Sequence, residues 1–419
     1  MSPVAAANLC SRLFTSKQAL GEIGGEVSFV LVVLMLLWSA RVEAVPIGGH
    51  RLTRRYNYNP LRFEEVSVTA HPFHEFFAGS GLVSIGLSPY FETVWANDVS
   101  ETKAQVYREN LDGEHLHVGD IAEVDGSGLP PASLSWASFP CQDLSLAGKI
   151  GGIRAERSGL VWQWLRIIDE LGESAPRVIC LENVSGLVSS RGGEDYVQLH
   201  EALRERGYRV GAILVNADHF VPQSRPRVFV IGTKGGVPEG LSSTGPTWLH
   251  PTAVRRVAAK TDDFIWWAAE EPAPLTTTLA DIVEEVPFDR DDIVRYIPEK
   301  HVGKFSRSGL MYASAYMRTR NHRQQLELRC DGIAGCLRTP AGGSSRQYVV
   351  MRDGRGLHAR LMTVRETARL MGAPDSYILP ERYNDGYMAM GDAVVAPVAH
   401  WLAENFLSEL VEAAYGTDE

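Results

Sequence analysis

Several short clusters along the 419-residue chain hold side chains that can do chemistry. Pro140-Cys141-Gln142 puts a thiol after a short apolar run and before a Gly- and Arg-rich stretch that reaches Gly159. The proline ends the run and the stretch after it reads as a loop, so the thiol can be exposed and activated as a nucleophile. The plainer reading is an inert core cysteine. Glu182-Asn183-Val184 ends a second apolar run. A carboxyl group partly desolvated at a strand end can hold a proton near neutrality; otherwise it is a structural cap. Gln223-Ser224-Arg225-Pro226-Arg227 precedes a third run. Arginines two apart on extended chain share a face, which suits an acidic group or a base edge, or a solvated strand edge.

Phe77-Ala78-Gly79-Ser80-Gly81, with Gly86 beyond, follows a strand-like run and opens a helix-like one. Glycines there let a ligand approach the backbone, and a helix N-terminus favours anionic groups. The spacing departs from G-x-G-x-x-G, so a dinucleotide is not implied, and a plain strand-to-helix turn has the same look. Asp98, at the end of the next strand-like run, suits a ribose diol or a helix N-terminal carboxylate. Asp120-Ile121 can continue the same pocket or lie on the surface.

These clusters need elements to hold them. Residues 74–78, 93–96, 133–139, 178–181 and 228–231 read as buried strands, most of them ending in polar or glycine-containing sequence. Between them lie helical stretches such as 159–171 and 195–206, the latter stopped by Gly207. Strands alternating with helices predict a parallel, doubly wound α/β sheet, whose ligands bind beyond the carboxyl ends of the strands. Gly and Pro punctuation at 234–251 marks a boundary, an irregular segment follows, and helical periodicity returns at 364–371 and 394–410. The predicted parts are an extension (1–67), a catalytic domain (68–238), an irregular second domain (239–356) and a C-terminal part returning to the first (357–415).

With 45% hydrophobic and 22% charged residues the chain is not collagenous, disordered or a multi-span membrane protein. Five cysteines in this length are no disulfide framework and fit a reducing compartment. The net charge of −10 argues against a nucleic-acid partner, but its distribution reverses that. Residues 300–369 hold fourteen Lys/Arg against four Asp/Glu, and residues 262–299 hold eleven acidic against two basic. A phosphate backbone feels the local charge. The apolar run 27–38, broken only by Ser28, is too short for the roughly twenty residues of a membrane span. It looks like a signal-peptide core with Val42-Glu43-Ala44 as a cleavage-like triplet, yet Glu22 and Glu26 stand where a positive flank belongs. A disposable extension, or a start placed too far upstream, and a cytoplasmic protein with no membrane partner are expected.

The order of the clusters carries more than any one of them. "FAGSGLVSIGL", "FPCQDLSLAGK", "LENVSG", "QSRPRVFVIG", "VRETARLMGAPDSY" and "AMGDAVVAPV" follow one another, and the set resembles the cytosine-C5 DNA methyltransferases over about 68–410. It looks like the prokaryotic type that acts beside restriction systems. The resemblance implies a doubly wound, Rossmann-like S-adenosylmethionine-dependent domain and a smaller irregular target-recognition domain. It implies that Cys141 adds to C6 of a flipped-out cytosine, that Glu182 bonds N3 and the 4-amino group, that Arg227 contacts the carbonyl oxygen, and that Arg225 supports that strand. The cofactor would rest on Phe77, Gly79, Gly81, Asp98, Asp120, Ile121, Pro140, Leu160 and Asp392, without a metal. Where the family has Asn in "GNAV" this chain has Asp392, which when ionised accepts hydrogen bonds but does not donate them.

The basic segment would be the recognition region. "GIAGCLRTPAGGSSRQYVV" resembles its closing loop, with Cys336-Leu337 in place of the usual Thr-Leu and with Gly342 and Gly343 permitting groove approach. Arg338 and Arg346 are base readers or phosphate contacts, and Gln142, Ser145 and Gln223 would join the DNA side. The implied partners are duplex DNA and a cognate restriction endonuclease, the enzyme itself being a monomer. A tRNA-modifying branch shares the Cys and Glu motifs, and the hundred or so residues between the two motif blocks favour DNA. A silent S-adenosylmethionine-binding or DNA-binding protein would not need Cys141, Glu182 and Arg227 together.

Overall fold

A computed structural model describes residues 70–140, 159–339 and 346–416. Cys141, Gln142, Ser145, Gly342, Gly343 and the apolar run 27–38 lie outside them. Seven strands form the main sheet: β1 (His71–Phe76), β2 (Phe91–Asp98), β3 (Leu116–Val118), β4 (Leu134–Ala137), β5 (Val178–Val184), β6 (Arg209–Asn216) and β7 (Pro226–Thr233), in the order β3-β2-β1-β4-β5-β7-β6. β1 to β5 run parallel. The chain leaves β1 toward β2 on one side and returns to β4 on the other, so the crevice of this sheet opens at the carboxyl ends of β1 and β4.

Both faces are covered, which is why the strands read as unbroken apolar runs. In β5, Val178 and Cys180 enter one core with Trp136, while Ile179 and Leu181 enter the other with Trp164. The helix Leu160–Leu171 buries Val161, Trp164, Leu165, Ile167 and Ile168 on the second face, each large apolar side chain contributing about 1.5–3 kcal/mol. The Trp164 indole N–H donates to Ser135 Oγ at 3.0 Å, so its one polar atom is not left unpaired. The first face is covered by C-terminal helices, Ala396–Leu402 and Ser408–Tyr415 among them.

One strand departs from the parallel pattern. β7 runs antiparallel to both β5 and β6, because it is joined to β6 by a short connection that cannot carry a parallel crossover. Its amino end therefore lies beside the carboxyl ends of the parallel strands.

The segment expected to be irregular contains regular structure. β8 (Ser242–Ser243) and β9 (Trp266–Trp267) form a short ladder, and β10 (Tyr312–Arg320), β11 (Arg323–Arg329), β12 (Gln347–Asp353) and β13 (Gly356–Leu361) form an antiparallel sheet in the order β11-β10-β12-β13. Asn321 and His322, both at positive φ, make the two-residue turn between β10 and β11. Leu326 and Leu328 of β11 point into a core with Phe305, Ala315 and Val350, while Arg323, Gln324, Gln325, Glu327 and Arg329 occupy the other positions. Among the described residues no helix is long and apolar enough to cross a membrane.

Candidate active site

The carboxyl ends of β1, β2, β4 and β5 and the amino end of β7 surround a cleft of about 1300 Å3, closed on its far side by Tyr316, Arg318, Arg329 and Arg338. Glu182 opens onto it from the end of β5. Arg227 Nε lies 2.8 Å from Glu182 Oε1. Burial drives the Glu182 carboxyl above its ordinary range, and Arg227 and then Arg225 offset only part of that. A carboxyl group raised in this way keeps its proton to higher pH than a free one and can pass it to a substrate nitrogen.

Its neighbour Asn183 is buried and works backwards into the fold. Its Nδ2 donates to the Phe139 carbonyl at 2.9 Å. This bond ties the end of β5 to the backbone at Phe139, after β4. Pro140 itself is exposed on the cleft.

Arg225 and Arg227 face the same side, as their spacing predicts: Cys336 Sγ is 3.6 Å from Arg225 Nη1 and 3.9 Å from Arg227 Nη1. Their tasks differ. Arg225 is 1% exposed; it donates from Nη1 to the Leu337 carbonyl at 2.8 Å and the Gly391 carbonyl at 3.2 Å, and from Nη2 to the Ala393 carbonyl at 2.7 Å. Burial pulls its guanidinium down to about 10. Arg225 thus fastens the start of β7 to Leu337 and to Gly391-Asp392-Ala393, and Arg227 is the one of the two that lines the cleft.

At the other end of the cleft, Phe77 at φ 61° and Gly79 at φ 58° form a left-handed turn after β1. A Cβ on Gly79 would meet only Lys103 Cδ, at 4.0 Å, whereas a Cβ on Gly81 would come within 2.5 Å of Leu111 Cδ1. Gly81 is therefore required for packing, while Gly79 keeps the cleft wall low. The Asp98 carboxylate accepts from the Gly79 N–H and the Ser100 N–H, each at 2.8 Å, and joins the glycine turn to the end of β2. Ser100, not Asp98, caps the helix Glu101–Asn110. Asp120 caps the turn Ile121–Glu123 through the Ala122 N–H, and Ile121 and Leu160 supply apolar wall. The turn is held from behind: Ser80 Oγ donates to the Ala389 carbonyl at 3.1 Å, which sets the C-terminal block beside it.

A family model described as "C-5 cytosine-specific DNA methylase" matches residues 72–408. The chain belongs to this family. Its enzyme class is DNA (cytosine-5-)-methyltransferase. The methylase is 27% identical over 341 residues to the type II methyltransferase M.Bsp6I of Bacillus sp. (strain RFL6), covering 80% of this chain and 98% of that one. It is 26% identical over 360 residues to the type II methyltransferase M.HhaI of Haemophilus parahaemolyticus, covering 84% and 98%. Among solved structures it shares the fold of the Entamoeba histolytica methyltransferase EhMeth, at a TM-score of 0.55 and 16% identity over 82% of this chain and 99% of that one. It shares it as well with the S. pombe Dnmt2 methyltransferase, at 0.51 and 18% over 80% and 98%.

The methylase fold brings Phe77, Gly79, Asp98, Asp120, Ile121, Pro140, Leu160, Glu182, Arg227, Arg338 and Asp392 onto one cleft. Gly81 and Arg225 stand behind its wall. Gln223, expected on the DNA side, is fully buried. Its Nε2 donates to the Leu370 carbonyl at 2.7 Å and its Oε1 accepts from the Leu337 N–H at 2.9 Å. Its amide is thus spent on joining Leu337 to the helix Val364–Leu370. Arg338 is exposed on the cleft rim, and Arg346 donates to Asn384 Oδ1 at 2.7 Å. Val99 and Lys103 are among the cleft residues that the sequence did not single out. Val99 follows Asp98 and is 73% exposed on the cleft, an apolar surface suited to a flat ring. Lys103, on the next helix, meets Asp392. Val99 carried a usable signal, an apolar residue directly after a polar strand end; Lys103 carried none.

Proposed function

We propose that the methylase transfers a methyl group from S-adenosylmethionine to C5 of cytosine in a specific duplex DNA sequence, through a covalent adduct between Cys141 and C6 of a flipped-out base. The observation that carries this is the buried Glu182 carboxyl, raised by burial and held by Arg227 at 2.8 Å on the cleft, beside the strand that leads to Cys141. C5 of cytosine is not nucleophilic by itself. The Cys141 thiolate forms a bond to C6 while Glu182 gives its proton to N3, so the ring becomes an enamine whose C5 carries electron density. Arg227 holds the carbonyl oxygen and keeps the ring against Glu182. With the methyl group that the bound donor would supply joined to C5 and the donor's sulfur left as a neutral thioether, loss of the C5 proton to a base and departure of the thiolate restore the double bond, and Glu182 takes its proton back. The base must leave the helix stack to reach these groups.

The low glycine turn, the buried Asp98 carboxylate and the apolar patch of Val99, Ile121 and Leu160 fit a nucleoside with an extended tail. Phe77, Gly79, Asp98, Asp120, Ile121, Pro140, Leu160 and Asp392 would hold S-adenosylmethionine, with Gly81 shaping the turn. When bound, it supplies an electrophilic methyl group. Residues 68–238 and 357–415 build this part, and residues 239–356 the recognition part, with Arg338, Arg346, Gly342, Gly343, Gln142 and Ser145 on the DNA side. The enzyme works in the cytoplasm as a monomer and protects DNA from a cognate restriction endonuclease.

Duplex DNA carrying 5-fluorocytosine tests this with S-adenosylmethionine present, because fluorine does not leave C5 as a proton does. A denaturation-resistant protein–DNA adduct is expected on the target sequence located by methylome sequencing of a naive host. Adduct formation on tRNA in place of DNA, or none on either, would overturn the reading.

A further inference from the structure

Lys103 Nζ and Asp392 Oδ2 lie 2.6 Å apart, 289 residues apart in sequence, on the wall of the cleft that faces the glycine turn. Lys103 rises from the first turn of Glu101–Asn110, and its Cδ lies 4.0 Å from where a Gly79 Cβ would be. Asp392 follows the helix Tyr383–Gly391. The side chains are 19% and 45% exposed. An ion pair this open contributes about 1 kcal/mol or less to stability, so packing alone does not account for it. Burial pulls the Lys103 ammonium down, but Asp392 and Asp98 more than offset this and raise it.

We propose that Lys103 and Asp392 together seat the zwitterionic amino-acid end of the cofactor, Lys103 taking the α-carboxylate and Asp392 the α-ammonium. This rests on the reading that S-adenosylmethionine occupies the cleft. A preformed plus–minus pair and an amino-acid headgroup laid alongside it make four alternating charges, each beside its opposite. Asp120 caps the turn Ile121–Glu123 and Arg338 stands on the far rim, and the remaining charged groups of the cleft are engaged elsewhere. Asp98 holds the glycine turn, Glu182 holds Arg227, and Arg318 and Arg329 pair with Glu327 and Asp331 on the far sheet. The apolar wall of Val99, Ile121 and Leu160 suits the ring end, which leaves the headgroup to the remaining pair. The pairing also explains Asp where the family carries Asn: an amide would leave the Lys103 charge uncompensated.

Calorimetric titration of the full chain with S-adenosylhomocysteine and with 5′-deoxy-5′-methylthioadenosine tests the proposal, since the second ligand lacks the amino-acid end. Lys103→Gln should weaken S-adenosylhomocysteine by about tenfold or more, the loss of one charge-assisted hydrogen bond, and leave methylthioadenosine unchanged, which also shows that the variant is folded. In Lys103→Gln/Asp392→Asn the losses should not add, because the two residues act as one unit. Equal weakening of both ligands, or S-adenosylhomocysteine binding within about twofold of wild type, overturns the seat. A wild-type chain that binds neither ligand overturns the cofactor reading itself, and the seat with it.

Discussion

Glu182 and Arg227 meet diagonally across two antiparallel strands. Glu182 stands opposite Phe229 and Val184 opposite Arg227, so the two charged side chains fall on the same face, one pair apart, with Nε and Oε1 at 2.8 Å. Diagonal neighbours on one face are within reach of long side chains. A slip of β7 by one residue would turn Arg227 to the opposite face and leave the buried carboxyl alone. The register is pinned by the pairing of β7 with β5 on one side and with β6 on the other.

Glu182→Gln keeps the shape of the hydrogen bond and removes the proton. The single-turnover rate of methyl transfer should fall roughly a hundredfold or more, as for loss of a general acid, with DNA affinity little changed. An unaltered rate would mean that another group protonates the ring.

Cys141→Ser should abolish both methyl transfer and trapping by 5-fluorocytosine DNA while leaving S-adenosylhomocysteine binding intact, because a hydroxyl is far less ionised than a thiol at neutral pH. Turnover within about tenfold of wild type would remove Cys141 from the reaction.

Arg225→Met should destabilise the protein by about 2–5 kcal/mol in urea unfolding, since three buried carbonyls lose their donor. Arg338→Ala, on the exposed cleft rim, should change stability by no more than about 0.5 kcal/mol and weaken DNA binding instead. The reverse pattern would exchange the tasks assigned to these arginines.

Glu75, buried behind the glycine turn, accepts a hydrogen bond from Ser84 Oγ. Burial raises its carboxyl to about 8, with the nearby Asp98 adding to the rise and the Ser84 hydrogen bond opposing it. The folded state then binds this proton more tightly than the unfolded chain, so the contribution is complete below the ordinary carboxylate range and is lost as pH rises through about 8. The unfolding temperature should fall as pH rises from about 6.5 to about 8 and level off above that, a window in which His74 and His250, pulled to about 4 by burial, are already neutral. Glu75→Gln should flatten that slope; a slope of wild-type size in the variant would place its origin elsewhere.

Removal of residues 1–60 should leave methyl transfer unchanged, because the family match begins at residue 72 and every residue assigned a task follows it. Loss of folding or of activity in the shortened chain, measured by circular dichroism and methyl transfer, would give the extension a part in the enzyme.

Much of this protein could be read from residue order alone. The ends of β1, β2, β4 and β5, the helix starting at Leu160 and the stop at Gly207 follow from apolar runs and turn chemistry, which act within a few residues. The polar residues at those ends named the chemistry for the same reason. β10 and β11 were hidden because their outward faces carry arginine, so that a half-buried strand has the composition of a solvated segment. The reversal of β7, the separation of Arg225 from Arg227, the burial of Gln223 and the meeting of Lys103 with Asp392 were decided by the tertiary structure. Each depends on partners far along the chain, Leu337 lying 112 residues from Arg225 and Asp392 lying 289 from Lys103. Local sequence sets the period of a strand and the place where it stops; its direction, its register and the partner at its end are set by the surfaces it packs between.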